Sequence, residues 1–481
     1  MSEESTFFLP VRDYCHRQLI TCSINDSIMA AAQIMRERKI SSLIVCDDGD
    51  QPVGIMTDRD LRSKVVADAL DPRTLKVSAI MTSPMISVKE DDTLFEVLYR
   101  MSRHRIHRIG VVDDNNTLVG FINESDIIRL QSRSPQQLLR SIDEAGSNDE
   151  LRRINADSEQ LIIFLSRNGV GTNNLIKLIS LFNDQLTDRL ITLLKQERFP
   201  EMGKKSTFMV LGSEGRREQT LKTDQDNAII YSDQADEDEL KDIEAFSHAL
   251  IEALIDIGVP ECPGGIMARN DFWRRSLSGW KRVVNDWIDS PNSDNIVNFG
   301  MLSDMRSLCG DRSLEQELRN FILTKAQDNS IFIARMAQNV VRFSQPLGWF
   351  GRIKVERKGE HAGKIDLKKA GIFTITEGVK VLALSVGIFG GSTLEKLKLL
   401  QAKGVLEKNQ TADLEAAFTL LTGMRLRGQI DAAETGEEIT NYVAPETLDR
   451  MEMGRLKQAL EVVVTFIATL KQHFRLEMLR G

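Results

Sequence analysis

The segment F-M-V-L-G-S-E-G-R-R-E-Q-T-L-K-T-D-Q-D-N-A-I-I-Y, from Phe208 to Tyr231, decides how the central part of this chain folds. The apolar runs at its two ends predict adjacent strands. Between them lie a glycine-containing turn, a short polar piece over 216–219 that we expect to be helical, and the acidic sequence T-D-Q-D. Glycine directly after a strand lets a ligand approach the backbone closely, since glycine has no Cβ. The segment therefore predicts a ligand site between two strands.

The turn carries the residues that we expect to bind phosphate. Gly212 opens the backbone, Ser213 adds a hydroxyl donor, and a helix that starts here would offer free N–H groups to phosphate oxygens. Arg216 and Lys222 follow and could compensate the charge of a triphosphate. Neither a Gly-Ser pair nor a D-x-D is specific alone, but the two at this spacing between apolar strands favour a nucleotide site.

The acidic part predicts a metal site. Asp224 and Asp226 are two residues apart, so on a strand both carboxylates point to the same face. Two adjacent carboxylates are costly unless a cation neutralises them, and Mg²⁺ binds in this way with nucleotide phosphates as further ligands. This arrangement supports in-line displacement at phosphorus.

Such a site usually includes a third carboxylate, and Asp304 is the best candidate. It follows the apolar stretch I-V-N-F-G-M-L-S, which we expect to be strand-like. Asp304 would bind a second metal ion or act as a base toward an acceptor hydroxyl. The predicted catalytic and metal-binding set is therefore Asp224, Asp226 and Asp304.

The segment resembles the nucleotidyltransferase fold shared by polymerase β and the PII-uridylyltransferases. That superfamily's signature, G-[GS] followed after about a dozen residues by D-h-[DE]-h, falls on Gly212-Ser213 and on Asp224 and Asp226. Gln225 and Asn227 depart from it, because both are polar where the pattern has apolar residues. The form G-S-x-G-R-x-E…T-D-Q-D-N is similar to a bacterial subfamily of nucleotidyltransferases joined to pairs of CBS domains.

A gap-free internal repeat occupies the first quarter of the chain, at an offset of 66 residues. Ile20 matches Ile86, Asp26 matches Asp92, and the register continues to Asp60 and Asp126. Each copy predicts a capped helix, an apolar strand, an acidic turn, a second strand and a last helix. The sequence therefore predicts the same β-α-β-β-α unit twice.

This repeat resembles the cystathionine-β-synthase (CBS) domain pair, or Bateman module, which commonly binds adenosine nucleotides. The family motif G-h-x-[ST]-x-x-D implies nucleotide-binding residues in both copies: Gly54, Thr57 and Asp60, then Gly120, Asn123 and Asp126. Asn123 stands where the family favours Ser or Thr. The alternative interpretation is that Thr57 and Asn123 only cap helices.

The remaining sequence predicts helices. Residues 131–200 have leucines at helical spacing and no catalytic pattern, which favours a helical connector. Residues 329–481 contain P-L-G-W-F-G-R-I (346–353), G-K-I-D-L-K-K-A-G-I-F (363–373) and M-R-L-R-G-Q (424–429), and on these motifs they resemble the helical companion domain of the same transferase subfamily. If extended, Lys364, Asp366 and Lys368 would share one face, where the lysines could bind a nucleotide tail or an acidic acceptor. The alternative is a solvated face with a local ion pair.

Composition excludes several classes of protein. The net charge of −8 and the lack of a basic stripe with interleaved aromatics argue against nucleic-acid binding and against an anionic membrane surface. No stretch reaches the ~20 apolar residues that span a bilayer, and no signal peptide is evident. Five scattered cysteines without a C-x-x-C pair argue against a disulfide framework and favour a reducing cytoplasm.

Together these patterns predict an α/β and α architecture: a CBS pair at 11–130, a connector at 131–200, a nucleotidyltransferase domain at 201–328 and a helical substrate-binding domain at 329–481. The resemblance implies an Mg²⁺-dependent enzyme, uridylyltransferase- or adenylyltransferase-like, that transfers a nucleoside monophosphate to a protein or small-molecule hydroxyl. It also implies regulation by an adenosine nucleotide, a homodimer, and a PII-like protein among candidate acceptors. The alternative is a catalytically inactive nucleotide-binding signalling protein.

Overall fold

The computed structural model describes residues 10–16, 19–38, 40–49, 51–104, 106–115, 117–123, 135–167, 169–343, 346–348 and 352–479. The chain forms two compact units, residues 1–134 and 135–481. The first contains two small α/β sheets, and the second contains a four-stranded sheet followed by a mainly helical region. The predicted α/β and α fold class is confirmed.

The first unit repeats one arrangement twice, and the first four elements of the first copy recur 66 residues later. The first copy consists of β1 (Thr21–Ser23), α1 (Ile28–Arg38), β2 (Ser42–Cys46), β3 (Pro52–Thr57) and α2 (Asp58–Leu61). The second consists of β4 (Ser87–Lys89), α3 (Leu94–His104), β5 (Arg108–Val112) and β6 (Leu118–Asn123). In each sheet the first pair of strands is parallel and the second antiparallel. Each copy buries its own small apolar core.

Three helices begin the second unit: α4 (Pro135–Glu144), α5 (Asn148–Arg167) and α6 (Thr172–Glu197). They lie where the sequence predicts a connector, and they belong to the same compact unit as the sheet that follows. Polar contacts fasten them to that region. Asn155 donates to the carbonyl of Ile257 at 3.0 Å, and Asp184 accepts from Arg306 at 2.7 Å.

The four-stranded sheet has the order β10-β7-β8-β9, in which only β8 and β9 run parallel. Its strands are β7 (Ser206–Val210), β8 (Asn227–Tyr231), β9 (Arg274–Ser276) and β10 (Arg306–Gly310). Its helices are α7 (Gly212–Gly215), α8 (Glu237–Asp256), α9 (Leu277–Asp289), α10 (Ser293–Leu302) and α11 (Arg312–Asp328). The strands predicted at both ends of the 208–231 segment are present.

Two local predictions in this region are wrong. The stretch before Asp304 is the helix α10 and not a strand, because Asn292 caps its first turn and its buried residues Ile296 and Phe299 recur at helical spacing. The polar piece over 216–219 is not helical. The single turn α7 ends at Gly215, and Arg217 has a φ of 56°, which interrupts any helix.

The C-terminal region consists of α12 (Ser330–Phe343), α13 (Phe373–Ser385), α14 (Thr393–Ala402), α15 (Lys408–Thr435) and α16 (Arg450–His473), with a short antiparallel pair, β11 (Ile365–Asp366) and β12 (Tyr442–Val443). Close packing requires Gly378 in α13, since a Cβ there would lie 2.6 Å from the Phe466 ring of α16. No helix among the described residues is long and apolar enough to cross a bilayer.

Candidate active site

Asp224 and Asp226 lie in an extended segment immediately before β8. Their carboxylates share one face, because the side chains between and after them, Gln225 and Asn227, point inward and are almost fully buried. The two buried amides hydrogen bond to each other at 3.2 Å, and Asn227 accepts from the backbone N–H of Ala268 at 2.8 Å. Gln225 and Asn227, which are polar where the superfamily pattern has apolar residues, therefore connect the 259–268 loop to the acidic pair.

Asp226 packs against the glycine turn. The φ of Gly212 is 51°, and a Cβ at this position would lie 2.9 Å from Oδ2 of Asp226. Burial raises the pKa of Asp226, and the neighbouring Asp224 raises it further, while a hydrogen bond from Cys262 lowers it. The predicted group of Gly212, Ser213, Asp224 and Asp226 is thus brought together, with Ser213 half-buried beside Gly212.

Asp304 does not join the acidic pair, which corrects its predicted role. Its side chain is fully buried and is contacted by Arg216, by Lys380 at 2.8 Å and by Lys396 at 3.3 Å. Burial alone would raise the pKa of Asp304, but the three cations hold it well below its ordinary value. A carboxylate held in this way is a poor base, and its oxygens are occupied by ammonium and guanidinium groups. Asp304 is an internal counterion.

Arg216 is also engaged inside the protein and does not line an open phosphate site. Its guanidinium pairs with Asp304 and, through Nε, with Glu218 at 2.8 Å. Glu218 in turn accepts from the backbone N–H and, at 3.1 Å, from the hydroxyl of Thr393, the first residue of α14. The motif residues Arg216 and Glu218 therefore join the transferase core to the C-terminal helices.

Lys222 is exposed and faces the connector. Its charge acts on Glu159 of α5, and the two residues line a cavity together with Asn155 and Pro260. The prediction that Lys222 binds the nucleotide is not supported by this placement, because the chain turns between Lys222 and Asp224 and sends the two side chains to different surroundings.

The three residues predicted to bind substrate in the C-terminal domain lie in three different environments. Lys364 is exposed, while Asp366 is buried and accepts from the backbone N–H of Lys369 at 3.1 Å. Lys368 lies within electrostatic range of both Asp224 and Asp226. The three do not share one face, because the extended conformation ends at Asp366 and a π-helical turn begins at Lys368.

Arg425 of α15 is a site residue that the sequence analysis missed. It is 8% exposed, and its charge interacts with those of Asp366 and Asp224. Burial lowers the pKa of Arg425 to about 10 and also lowers that of Lys368, which is further lowered by the proximity of Arg425. One signal in the sequence could have identified Arg425, because it lies within M-R-L-R-G-Q, a motif of the companion domain.

Glu214 is the second missed residue. It is buried behind the acidic pair, and burial raises its pKa to about 8, with a smaller contribution from Asp184. Lys380 and Lys396 are further missed residues. The signal for Lys380 was a lysine inside the apolar helical run G-V-K-V-L, since a charge in that position is buried only if it is paired.

In the first repeat, Thr57 and Asp60 form a reciprocal capping box at the start of α2. The Thr57 hydroxyl donates to Asp60 at 2.6 Å, and Asp60 also pairs with Lys64 at 2.8 Å. Gly54 is required sterically, because a Cβ would lie 2.7 Å from the carbonyl oxygen of Thr82. The alternative interpretation of Thr57 as a helix cap is therefore observed, and nucleotide binding by these residues stays a prediction.

The second repeat differs. Asn123 accepts a hydrogen bond from Nε of Arg108, whose guanidinium lies 4.5 Å from the ring centroid of Phe121. A Cβ on Gly120 would lie 2.8 Å from the carbonyl oxygen of His16. Asp126, the last predicted residue of this copy, lies outside the described residues. A small cleft between the two copies is lined by apolar side chains together with Ser42 and Arg108.

Three family models match the chain in sequence. Residues 11–67 and 77–133 match the "CBS domain", residues 156–294 match "Putative nucleotidyltransferase DUF294", and residues 330–474 match "Putative nucleotidyltransferase substrate binding domain". The chain belongs to this family of CBS-pair nucleotidyltransferase proteins. It therefore carries a nucleotidyltransferase domain, the companion domain of that transferase and a CBS pair. The transferase match begins inside the segment predicted as a connector.

Individual relatives cover shorter segments. The chain is 35% identical over 121 residues to an uncharacterized protein of Methanopyrus kandleri, covering 25% of this chain and 62% of that protein. It is 36% identical over 113 residues to inosine-5′-monophosphate dehydrogenase of Methanocaldococcus jannaschii, covering 24% and 22%. It is 35% identical over 111 residues to hypoxic response protein 1 of Mycobacterium tuberculosis, covering 23% and 77%. The chain thus spans less than two thirds of the first two relatives.

Solved structures match the chain over about a quarter of its length. One is a CBS domain pair in complex with 5′-methylthioadenosine and S-adenosyl-L-methionine, at 33% identity and a TM-score of 0.24, covering 26% of this chain and 97% of that chain. Another is hypoxic response protein I with two coordinated zinc ions, at 32% identity and a TM-score of 0.23, covering 25% and 98%. TM-scores this low carry no information about the ligands of this chain.

Proposed function

We propose that this protein transfers a nucleoside monophosphate from a nucleoside triphosphate to a hydroxyl of a protein or small molecule. In this reaction the acceptor oxygen bonds to the α-phosphorus, pyrophosphate leaves, and the hydroxyl proton is lost. The observation that carries the proposal is the pairing of Asp224 and Asp226 beside Gly212, in a domain that belongs to a nucleotidyltransferase family. Glycine at position 212 lets the backbone of the turn lie against Asp226, and a phosphate bound at the acidic pair would be next to that turn.

The donor set suits Mg²⁺. Among the described residues no group of three His, Cys, Asp or Glu side chains is arranged to hold a metal ion. Mg²⁺, however, often binds proteins through one or two carboxylates and takes substrate phosphates and water as its other ligands. Asp224 and Asp226 supply those two carboxylates, and Mg²⁺ would neutralise charge that develops on the phosphates.

The chain's own residues would position the reactants. Gly212 and Ser213 would hold the phosphates close to the acidic pair, and the buried amides of Gln225 and Asn227 keep that pair fixed against the 259–268 loop. Fixed donors and charges lower the barrier because they need no reorganisation during the reaction. The CBS pair would regulate this site by binding an adenosine nucleotide, and a PII-like protein is one candidate acceptor.

A second candidate function, a nucleotide-binding signalling protein without turnover, is favoured by one observation. Asp304 is withdrawn from the acidic pair and neutralised by three buried cations, so the described site has two carboxylates and not three. If two carboxylates do not suffice for chemistry, the protein would still bind the nucleotide.

The two candidates are separated by incubating the protein with Mg²⁺, a cell extract and each α-³²P-labelled nucleoside triphosphate. The Asp224→Asn/Asp226→Asn variant serves as the control, because amides keep the size of the side chains and remove their charge. We expect label in an acceptor only with the wild-type protein. Nucleotide binding without any labelled product, for all four nucleotides, would contradict the transferase and support the signalling protein.

A further inference from the structure

Two cations of the C-terminal region lie near the acidic pair. Lys368 begins the π-helical turn that leads into α13, and Arg425 lies in the middle of α15. Both interact electrostatically with Asp224. They come from the C-terminal region, whereas the acidic pair belongs to the transferase sheet, so acidic and basic side chains of the two regions approach each other here. We call these the acidic and the basic wall, and the region between them the cleft.

Neither cation forms an ion pair with a carboxylate among the described residues, although Arg425 is almost fully buried and Lys368 is exposed. Nε of Arg425 donates to Asn441 at 2.6 Å, but its terminal nitrogens have no hydrogen-bond acceptor among the described residues. The ammonium group of Lys368 makes no hydrogen bond or ion pair within the same described part of the chain. Lys380 and Lys396, by contrast, each contact a carboxylate.

This arrangement is unfavourable unless an anion binds. The buried guanidinium of Arg425 is costly without a hydrogen-bonded counterion, and the neighbouring charge of Lys368 repels it. Asp366, whose charge also acts on Arg425, is already engaged by the backbone N–H and ammonium group of Lys369. An anion in the cleft would use donors that the protein leaves unpaired.

The acidic wall indicates which kind of anion fits. A simple anion would be repelled by Asp224 and Asp226, but a polyphosphate can arrive with a divalent cation that these carboxylates bind. One end of such a ligand would meet the metal and the acidic pair, and the other would meet guanidinium and ammonium donors. Guanidinium binds phosphate through two parallel hydrogen bonds, which suits the free end of Arg425.

We propose that Lys368 and Arg425 form the binding site for the β- and γ-phosphates of the nucleoside triphosphate. This inference rests on the proposed function, whose phosphate-binding residues were assigned only on the transferase side of the cleft. It gives the C-terminal region a direct role in holding the substrate.

Inorganic tripolyphosphate tests the site without requiring catalysis. Its binding to the full chain with Mg²⁺ would be measured by titration calorimetry for the wild type, Lys368→Gln and Arg425→Lys. The matched controls are Lys358→Gln, which removes the same charge from an exposed position, and Arg427→Lys. Arg427 lies on the same helix as Arg425 and pairs with Glu452 of α16. We expect a weakening on the order of tenfold for Lys368→Gln, a smaller one for Arg425→Lys, and none for the controls.

Three results would overturn the inference: no binding of tripolyphosphate by the wild type, unchanged binding by Lys368→Gln, or equal weakening by Lys358→Gln. Lys368 is accessible and its substitution leaves the core intact, so the test does not depend on the stability of an Arg425 variant. If the variants differ in tripolyphosphate binding as expected but the wild type transfers no label, the proposed function is contradicted and the phosphate site is still supported.

A metal-free titration excludes the simpler explanation that Lys368 and Arg425 only neutralise the carboxylates. With a chelator present, Asp224→Asn/Asp226→Asn removes the repulsion between the acidic wall and the ligand. We expect this variant to bind tripolyphosphate several-fold more tightly than the wild type, and to lose that gain when Lys368→Gln is added. Binding that is insensitive to Lys368 in this background would show that the cations serve the carboxylates alone.

Discussion

Replacement of Asp304 by asparagine tests the buried charge network most directly. Asp304 has no exposed surface, and its carboxylate is the shared counterion of Arg216, Lys380 and Lys396. Asparagine keeps the shape but removes the charge, so three buried cations would remain against Glu218 and Glu377. Breaking a buried pair by removing one partner costs about 3–5 kcal/mol, and we expect a loss of that size in the free energy of unfolding.

Denaturant titration followed by tryptophan fluorescence measures this loss, since Trp273, Trp280 and Trp287 form a buried cluster in the same unit. Asp238→Asn is the control, because Asp238 forms an ion pair that is almost completely exposed and therefore contributes little. The midpoint should fall for Asp304→Asn and stay unchanged for the control. Equal midpoints for the two variants would refute the reasoning.

The same network predicts an acid dependence with a definite sign. The folded-state pKa of Asp304 is depressed, so its contribution is fully present above the unfolded-state pKa of about 4 and is lost as pH falls below that value. The wild type should therefore lose stability below pH ~4 more steeply than Asp304→Asn. Parallel curves for the two proteins in that range would show that the carboxylate is not held ionised by the fold.

Three further predictions concern other residues. Gly212→Ala should abolish or strongly reduce label transfer, because the alanine Cβ would lie 2.9 Å from Oδ2 of Asp226 and the φ of 51° at this position disfavours residues other than glycine. Unchanged transfer would contradict this prediction. Thr57→Ala should lower the stability of the CBS unit by about 1 kcal/mol, because the capping box is lost. Thermal unfolding of the full chain measures this loss in the transition of the CBS unit, and an unchanged transition would contradict the interpretation of Thr57 as a helix cap. Burial raises the pKa of Glu214 to about 8, so the wild type loses stability as pH rises from the unfolded-state value of about 4.5 to about 8. Glu214→Gln should therefore gain stability relative to the wild type over that range, on the order of a few kcal/mol by denaturant titration, with no further gain above pH ~8. A difference that stays constant from pH ~4.5 to ~8 would contradict this prediction.

Regular patterns in the sequence predicted the regular parts of the structure. The offset of 66 residues anticipated both CBS sheets, since Ser42–Cys46 and Arg108–Val112 occupy equivalent places. The alternation of side chains around Asp224 likewise placed both carboxylates on one face. Such predictions succeed because the periodicity of a strand is a local property, independent of what packs against it.

Predictions about long-range partners failed. Nothing near Asp304 in the sequence indicates that Lys380 and Lys396 will neutralise it, because these lysines lie 76 and 92 residues away and approach only when α13 and α14 pack against the transferase core. Lys364 and Lys368 were grouped by alternation, but the chain leaves the extended conformation between them. A strand pattern of five residues cannot reveal where that strand ends.

The motif G-S-E-G-R-R-E therefore combines two tasks that the sequence presents as one. Gly212 and Ser213 border the acidic pair, whereas Arg216 and Glu218 fasten the turn to Asp304 and to the first residue of α14. A match to the whole motif is thus evidence for a joined pair of domains as much as for chemistry. The same contact holds the C-terminal helices against the transferase core, where Lys368 and Arg425 face the carboxylates. Binding of the triphosphate would therefore depend on both walls of the cleft, and a variant that disrupts the contact at Glu218 should weaken tripolyphosphate binding without altering a phosphate-binding residue.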